Sequence, residues 1–274
     1  YINGVGSNKM DPTGTLTREQ AATILGRLHK YVPATSESTL KFSDSTAISA
    51  YARTYVAEAV RMGYINGYNN GTFRPQGTIT RGEIAKILYY YMGSSLGQNG
   101  GSYSASNFNS ATKNVTISAS GTLAGATVSG NLYITEGVGS GPVRLQNVTV
   151  QGKIIVSGGS VTMDGVSAME MVVSNPCGVT PSVICTGNTS IANTEVQTDA
   201  KLTENALGIS AGGFSNITMN GADASLTLDA SVWNVNTKQP CSILTTGSTS
   251  IDVLTADAKT MLTGGGSLQT AKLN

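Results

Sequence analysis

Gly63-Tyr64-Ile65-Asn66-Gly67, continued by Phe73, Pro75 and Thr80-Arg81-Gly82-Glu83, is the second copy of a pattern that opens the chain. Tyr1-Ile2-Asn3-Gly4 matches Tyr64-Ile65-Asn66-Gly67 at a constant offset of 63 residues, Pro12 matches Pro75, and Thr17-Arg18 matches Thr80-Arg81. Laid without gaps on residues 64–93, residues 1–30 give 12 identities, among them Gly14/Gly77, Ala22/Ala85, Ile24/Ile87 and Leu25/Leu88. A repeat of this length is a structural unit.

Working outward, Thr17 and Thr80 each precede an apolar helical pattern and carry Gln20 and Glu83 three positions on. That spacing is a capping box, in which the hydroxyl and the side chain three residues later satisfy each other's unpaired amides. Helices are expected at about 18–30 and 81–92, the first burying Ala21, Ile24, Leu25 and Leu28. A further helix is expected at about 46–62, where Ile48, Tyr51, Ala52, Tyr55, Val56, Ala59 and Val60 recur at three and four. Gly63 is placed to end it.

Phe42-Ser43-Asp44, a helix, a Gly-rich loop and a Thr-Arg-x-Glu helix start follow one another in order. This pattern resembles the S-layer homology domain, a module that attaches exported proteins to bacterial cell-wall polysaccharide. Residues 42–93, within a domain spanning 31–93, look like one complete module. Residues 1–30 look like the second half of another. The sequence departs from the family in having Tyr51 for the usual first-helix Trp and Gln20 for the closing Glu of one motif. The resemblance implies an all-α fold here and an extracellular place at the cell wall of a Gram-positive-type bacterium. The implied partner is an acidic, pyruvylated secondary cell-wall polysaccharide, held by Arg18 and Arg81. A guanidinium near a helix N-terminus suits a carboxylate. The alternative is that both arginines brace the modules by pairing with Glu or with backbone carbonyls.

Charged residues make up 12% of the chain and the net charge is +1, which gives no electrostatic case for nucleic acid or an acidic membrane surface. No apolar run approaches the roughly 18 residues that span a bilayer. The chain opens inside a repeat and on Tyr1, so a processed product or fragment with any export signal upstream is expected.

Residues 94–112, rich in Gly, Ser and Asn, read as a linker. From 113 to 274 the composition changes to short β-branched runs between turn residues, such as Val148-Thr149-Val150, Ile154-Ile155-Val156 and Leu226-Thr227-Leu228. Residues 126–134 align with 148–156 at an offset of 22, and Thr186–Ile191 with Thr246–Ile251 at an offset of 60. Sixty is three turns of about twenty, a period expected of stacked coils. The reading is a parallel β-helix of roughly seven or eight rungs, with Val150, Ile155, Ile191, Ile217, Leu228 and Ile251 in one apolar interior. A β-sandwich is the alternative. The fold class is thus α+β and multidomain: helical modules, then an all-β coil.

Catalysis by such a coil requires paired carboxylates or metal-binding acids on one face. Of its ten acids only Asp199 and Asp257 occupy equivalent rungs, about 14 Å apart by the rung spacing, too wide for a glycosidase pair. No catalytic residue, metal or cofactor is expected. His29 is the sole histidine, and Cys177, Cys185 and Cys241 offer free thiols or one small staple between the first two. The expected function is a non-enzymatic cell-surface structural protein with a projecting β-helix. Its rivals are a self-assembling filament or surface-layer subunit, joined through the chain ends at Ser267–Asn274 and the incomplete first repeat, and a polysaccharide-binding or -cleaving enzyme.

Overall fold

The computed structural model describes residues 11, 13–28, 40–175, 177–205 and 212–274. Tyr1-Ile2-Asn3-Gly4, Pro12, His29 with the end of the first expected helix, and residues 31–39 of the second expected domain lie outside the described residues. The chain divides into two compact units at residues 91 and 92.

Among the described residues the first unit holds three short helices, α1 (Arg18–Leu28), α2 (Arg53–Arg61) and α3 (Arg81–Met92), with a 3-10 turn at Ser45–Ala47. Both capping boxes form. Gln20 N–H donates to Thr17 Oγ1 at 3.3 Å and Glu83 N–H to Thr80 Oγ1 at 3.2 Å, while Thr17 and Thr80 N–H donate to Gln20 and Glu83 at 2.9 Å. Equivalent positions of the two copies also meet: Thr17 and Thr78 make an antiparallel bridge, and Ile79 N–H donates to Leu16 O at 2.8 Å.

The helix expected over 46–62 is shorter. Ile48 is extended (φ −72°, ψ 124°), and α2 starts only after the Ser49 carbonyl has accepted the Ala52 and Arg53 amides. The break has a cause in packing: it turns the Ser49 amide and hydroxyl onto the Glu19 carboxylate at 3.0 and 2.7 Å. At its other end α2 closes as expected. Gly63 takes φ +78°, its N–H donates to Val60 O at 3.0 Å, and Tyr64 N–H donates to Ala59 O at 2.9 Å, the paired bonds of a left-handed glycine terminus. The buried set is Ala21, Ala22 and Leu25 of α1, Ala52, Val56, Ala57 and Ala59 of α2, and Ile65, Phe73, Ile87 and Tyr91. Tyr51 is exposed, contrary to its place in the expected stripe.

Among the described residues the second unit is a parallel β-solenoid of eighteen strands from Ser94 to Leu273, most of them pairing with the strand two places on. The long strand Pro142–Val156 covers two sides of the coil and pairs with Leu132–Ile134 before it and with both Ser160–Asp164 and Ser167–Val173 after it. Among the described residues every strand pairing in it is parallel, which excludes the antiparallel sheets of a sandwich. One ladder runs its whole length: Leu96, Ile117, Ile134, Val156, Val173, Val196, Met219, Thr237, Ala256 and Leu273 are successive partners. This ladder has more levels than the seven or eight rungs expected. Each neighbour lies about 4.8 Å away. The column is apolar and buried from Leu96 to Met219, is interrupted by the buried Thr237, and ends on the exposed Leu273. Each buried Val, Leu, Ile or Met in it contributes about 1.5–3 kcal/mol.

The added levels come partly from residues 94–112, which are not a linker. Ser94–Leu96 pairs with Val115–Ile117 and Gly101–Tyr103 with Gly121–Leu123, so this Gly- and Ser-rich stretch is the first coil. The offset of 60 has a direct meaning: Ile191 pairs with Phe214 and Val232 with Ile251, and Asn216–Asn234 links the middle pair of strands, giving three steps. Within it, Thr189 and Thr249, both buried, donate their hydroxyls to carbonyls one coil back, Met163 O at 2.9 Å and Leu228 O at 2.7 Å. A buried hydroxyl closing the same turn is why Thr-Gly-x-Thr recurs there.

Val150, Ile191, Ile217, Leu228 and Ile251 lie in the common core. Ile155 does not. The inward alternation of Val148 and Val150 carries on to Ile154 and Val156 across the register shift between Val150 and Lys153, so Ile155 stands half-buried on the outer side.

Candidate functional site

The first copy of the repeat supplies an arginine that is turned wholly onto protein. Arg18 is only 4% exposed. Its Nε donates to Phe73 O at 2.9 Å, one terminal nitrogen to Glu83 Oε1 at 2.8 Å, and the other to Asn66 O at 2.7 Å. Its guanidinium lies 4.6 Å from the Tyr68 ring centre and 5.0 Å from that of Phe73. The planar fork suits this combination of two carbonyls, a carboxylate and two ring faces, which a lysine could not serve together.

Glu83 is the other pole. Besides Arg18 it accepts the Tyr68 hydroxyl at 2.5 Å and the Thr80 amide and hydroxyl at 2.9 Å each. The Tyr68 hydrogen bond, then the Thr80 amide and hydroxyl and the charge of Arg18, hold its carboxyl at about 2. The same bond pushes the Tyr68 hydroxyl up. Glu19, buried, accepts Ser49, Tyr51 and Gln76; desolvation opposes its charge, but these donors together hold it below the usual carboxylate range.

Arg81, the equivalent of Arg18 in the second copy, is exposed at the first residue of α3. Thus the structure buries one of the two sequence-predicted binding residues in the fold and presents the other to solvent. A further exposed guanidinium stands beside the buried cluster: Arg74 lies 4.3 Å from the Tyr68 ring centre, on a backbone with φ +55°. That conformation strains a non-glycine residue, and such strain gathers at ligand clamps. Asp44 fixes it by accepting the Phe73 and Arg74 amides at 2.7 and 2.8 Å. Burial pushes Asp44 up, but those amides and the Arg74 charge outweigh it and hold its carboxyl low. The repeat comparison hid Arg74 and Tyr68, because the first copy has Asp11 and Val5 in their places. Their signal is the local run Phe73-Arg74-Pro75 after a Gly-rich loop.

Residues 41–85 match the family described as the S-layer homology domain. The chain carries that domain at its helical end and a β-solenoid from residue 94 onward. S-layer homology domains bind cell-wall polysaccharides, and the domain marks a cell-surface, wall-associated protein. The chain is similar to an amylopullulanase of Thermoanaerobacterium thermosulfurigenes, 37% identical over 91 residues that make up 32% of this chain and 5% of that protein. It is similar to the exoglucanase XynX of Acetivibrio thermocellus, 36% identical over 32% of this chain and 8% of that protein. Cell surface glycoprotein 1 of Acetivibrio thermocellus is 29% identical over 36% of this chain and 4% of its own length. The chain therefore spans less than a tenth of these relatives, and the enzyme matches cover the S-layer homology region alone. No solved structure matches the chain significantly.

Several acids of the solenoid serve its turns and ion pairs. Asp199 accepts the Ser225 amide at 2.8 Å, and Asp257 is paired with Lys238 and with Asn274. Glu204 and Asp229 have environments that push them apart: desolvation raises Glu204, while hydrogen bonds from Ser248 and Thr246 lower Asp229. Divergent carboxylates are a mark of acid–base sites. Here, however, both Glu204 oxygens are taken by backbone, the Phe214 amide at 2.7 Å and the Ser231 amide at 2.8 Å. Among the described residues no group of three or more His, Cys, Asp or Glu is arranged to hold a metal ion. Cys177 is exposed and Cys185 and Cys241 are buried, all three as free thiols, so the small staple does not form. No helix among the described residues is long and apolar enough to cross a membrane.

Proposed function

We propose that this chain is a non-enzymatic structural protein of a Gram-positive-type cell surface, anchored through its S-layer homology domain and projecting its solenoid as a body. The ligand of the domain is an acidic, pyruvylated secondary cell-wall polysaccharide. Arg81 receives the sugar carboxylate, and Arg74 adds a second cation. Arg18 holds the loop that carries Arg74 rather than leaving the fold to meet the sugar. The observation that carries this reading is the contrast between the equivalent arginines: Arg18 is committed to three protein acceptors, whereas Arg81 stands exposed at a helix N-terminus. A non-enzymatic role is supported by the engagement of Asp199, Asp257, Glu204 and Asp229 in turns and ion pairs.

Sedimentation with purified wall polysaccharide tests it. Arg81→Ala is expected to weaken retention at least tenfold, since a charge-assisted contact is worth about 1.5–3 kcal/mol, with an unchanged helical circular dichroism signal. Retention equal to that of the unaltered chain overturns the assignment of Arg81.

A self-assembling subunit is the second reading. In the last strand, Ser267–Leu273, the ladder residues Leu268 and Leu273 are 37% and 82% exposed, where their partners Ile251 and Ala256 are buried. Such an edge accepts another strand, from a continuing segment or from a second copy. Light scattering of the 274-residue chain distinguishes them, because growth with concentration requires the second copy.

A further inference from the structure

Trp233, the sole tryptophan of the chain, is 74% exposed on the outer surface of the solenoid. It lies in the strand Ser231–Thr237, between Val232 and Asn234. Val232 pairs with Ile251 and Asn234 with Val253, which leaves Asp252 beside the indole on the following strand. Asn234 pairs with Asn216, which leaves Ser215 beside it on the preceding strand. One coil further, Gln269 donates to Asp252 at 3.0 Å. The strand itself is fixed, because Val232 and Val235 are buried in the core on either side of the outward residue. A large apolar ring is therefore held on a rigid sheet with a hydroxyl and a carboxylate on the adjoining strands, at the coil spacing of about 4.8 Å, and a carboxamide one coil beyond the carboxylate.

Each class of partner makes a different demand on such a ring. A protein interface centres on contiguous apolar surface, whereas Ser215 and Asp252 flank this one. Nucleic acid stacks on aromatics but needs a cationic groove, and the nearest charge here is an acid. A membrane surface calls for a broad apolar face with basic residues. A sugar ring has an apolar C–H face rimmed by hydroxyls, and that matches an indole rimmed by hydrogen-bonding side chains. The carboxylate of Asp252 disfavours acidic sugars.

We propose that Trp233 is the stacking platform of a neutral-glycan site on the solenoid, with Asp252, Ser215 and Gln269 as its hydrogen-bonding rim. This site is independent of the anchoring domain and of the acidic polymer proposed there.

The single tryptophan is its own reporter. Emission of the full chain is titrated with cellohexaose, xylohexaose and the hexamer of N-acetylglucosamine, with polygalacturonate as the acidic comparison. The expected result is a saturable change with at least one neutral glycan and none with polygalacturonate. Trp233→Ala then loses at least tenfold in retardation on a gel containing the corresponding polymer, Trp233→Phe retains part of it, and sedimentation with wall polysaccharide is unchanged in both. Emission unmoved by all three neutral glycans overturns the proposal. So does an emission change that light scattering traces to association of the chain with itself.

Discussion

Arg18 and Glu83 belong to different copies of one repeat, and the guanidinium of the first copy donates to the carboxylate of the second at 2.8 Å. Their own counterparts are Arg81 and Gln20, so the copies are not interchangeable: one gives the cation and the other the anion. The neutral Gln20 still closes its capping box, while Glu83 closes a box and anchors Arg18 at once. The interaction that welds the repeat together also decides which arginine stays exposed.

The first prediction concerns that weld. Arg18→Ala removes three hydrogen bonds and leaves Glu83 partly buried without its cation, at a cost of about 3 kcal/mol. Arg18→Lys keeps the charge but not the fork, and falls between the two. Urea denaturation followed by helical circular dichroism measures both. An Arg18→Ala chain as stable as the parent would show the cluster to be energetically idle.

Acid should act on the same cluster in a defined direction. Glu83 has a folded pKa of about 2 against an ordinary 4.5. A depressed carboxyl contributes stability that is complete above its unfolded pKa and is lost as pH falls through the folded value. The helical unit is therefore expected to weaken progressively from about pH 4.5 toward pH 2. Glu83→Gln should flatten that slope. A slope that survives the substitution would place the acid sensitivity elsewhere, with Glu19 and Asp44 as the next groups to exchange.

Much of this architecture is legible in the residues, for identifiable reasons. The capping boxes appear because local amide chemistry fixes the spacing of Thr17 to Gln20 and Thr80 to Glu83. The solenoid appears because the Thr189 and Thr249 turns must close identically after three coils. What escaped depends on long-range partners. Residues 94–112 look like a linker because the first coil is built largely from Gly and Ser, and Val115–Ile117 and Gly121–Leu123 supply its pairing. Ile155 stands in the all-apolar run Ile154-Ile155-Val156, whose composition does not single out the inward residues; the alternation carried on from Val148 and Val150 does, and it gives Ile154 and Val156. Arg18 carries the same motif as Arg81, and only the fold reveals that Asn66, Phe73 and Glu83 surround it.

The coil register has its own test. Ile191 is fully buried between Ala168 and Phe214, so Ile191→Asp places an unpaired charge in the core and should cost about 4 kcal/mol or more. Ile155→Asp, on the outer side of the bulge, should cost about 1 kcal/mol. Thermal unfolding followed by the β-sheet signal compares them. Equal losses would mean that Ile155 shares the core with Ile191.

Glu204 should make the solenoid respond to pH in the opposite sense to Glu83. Its carboxylate occupies an interior step of a ladder, paired with Cys185, and desolvation raises it above the ordinary carboxylate range. The Ser231 and Phe214 amides offset that penalty only in part, and the charge of Asp229 adds to it. A carboxyl whose folded pKa is raised favours the folded state most below its unfolded pKa, and that contribution disappears as pH rises through the folded value. Glu204→Gln removes the charge but keeps only one acceptor oxygen for two amides, so it is expected to be the less stable form at about pH 4. As pH rises to about 8 the parent alone acquires the buried charge, and the gap should narrow or reverse. Thermal unfolding midpoints of the two chains across that interval read the difference directly. A difference that stays constant from acid to neutral pH would show that Glu204 ionises as freely in the folded coil as in the unfolded chain.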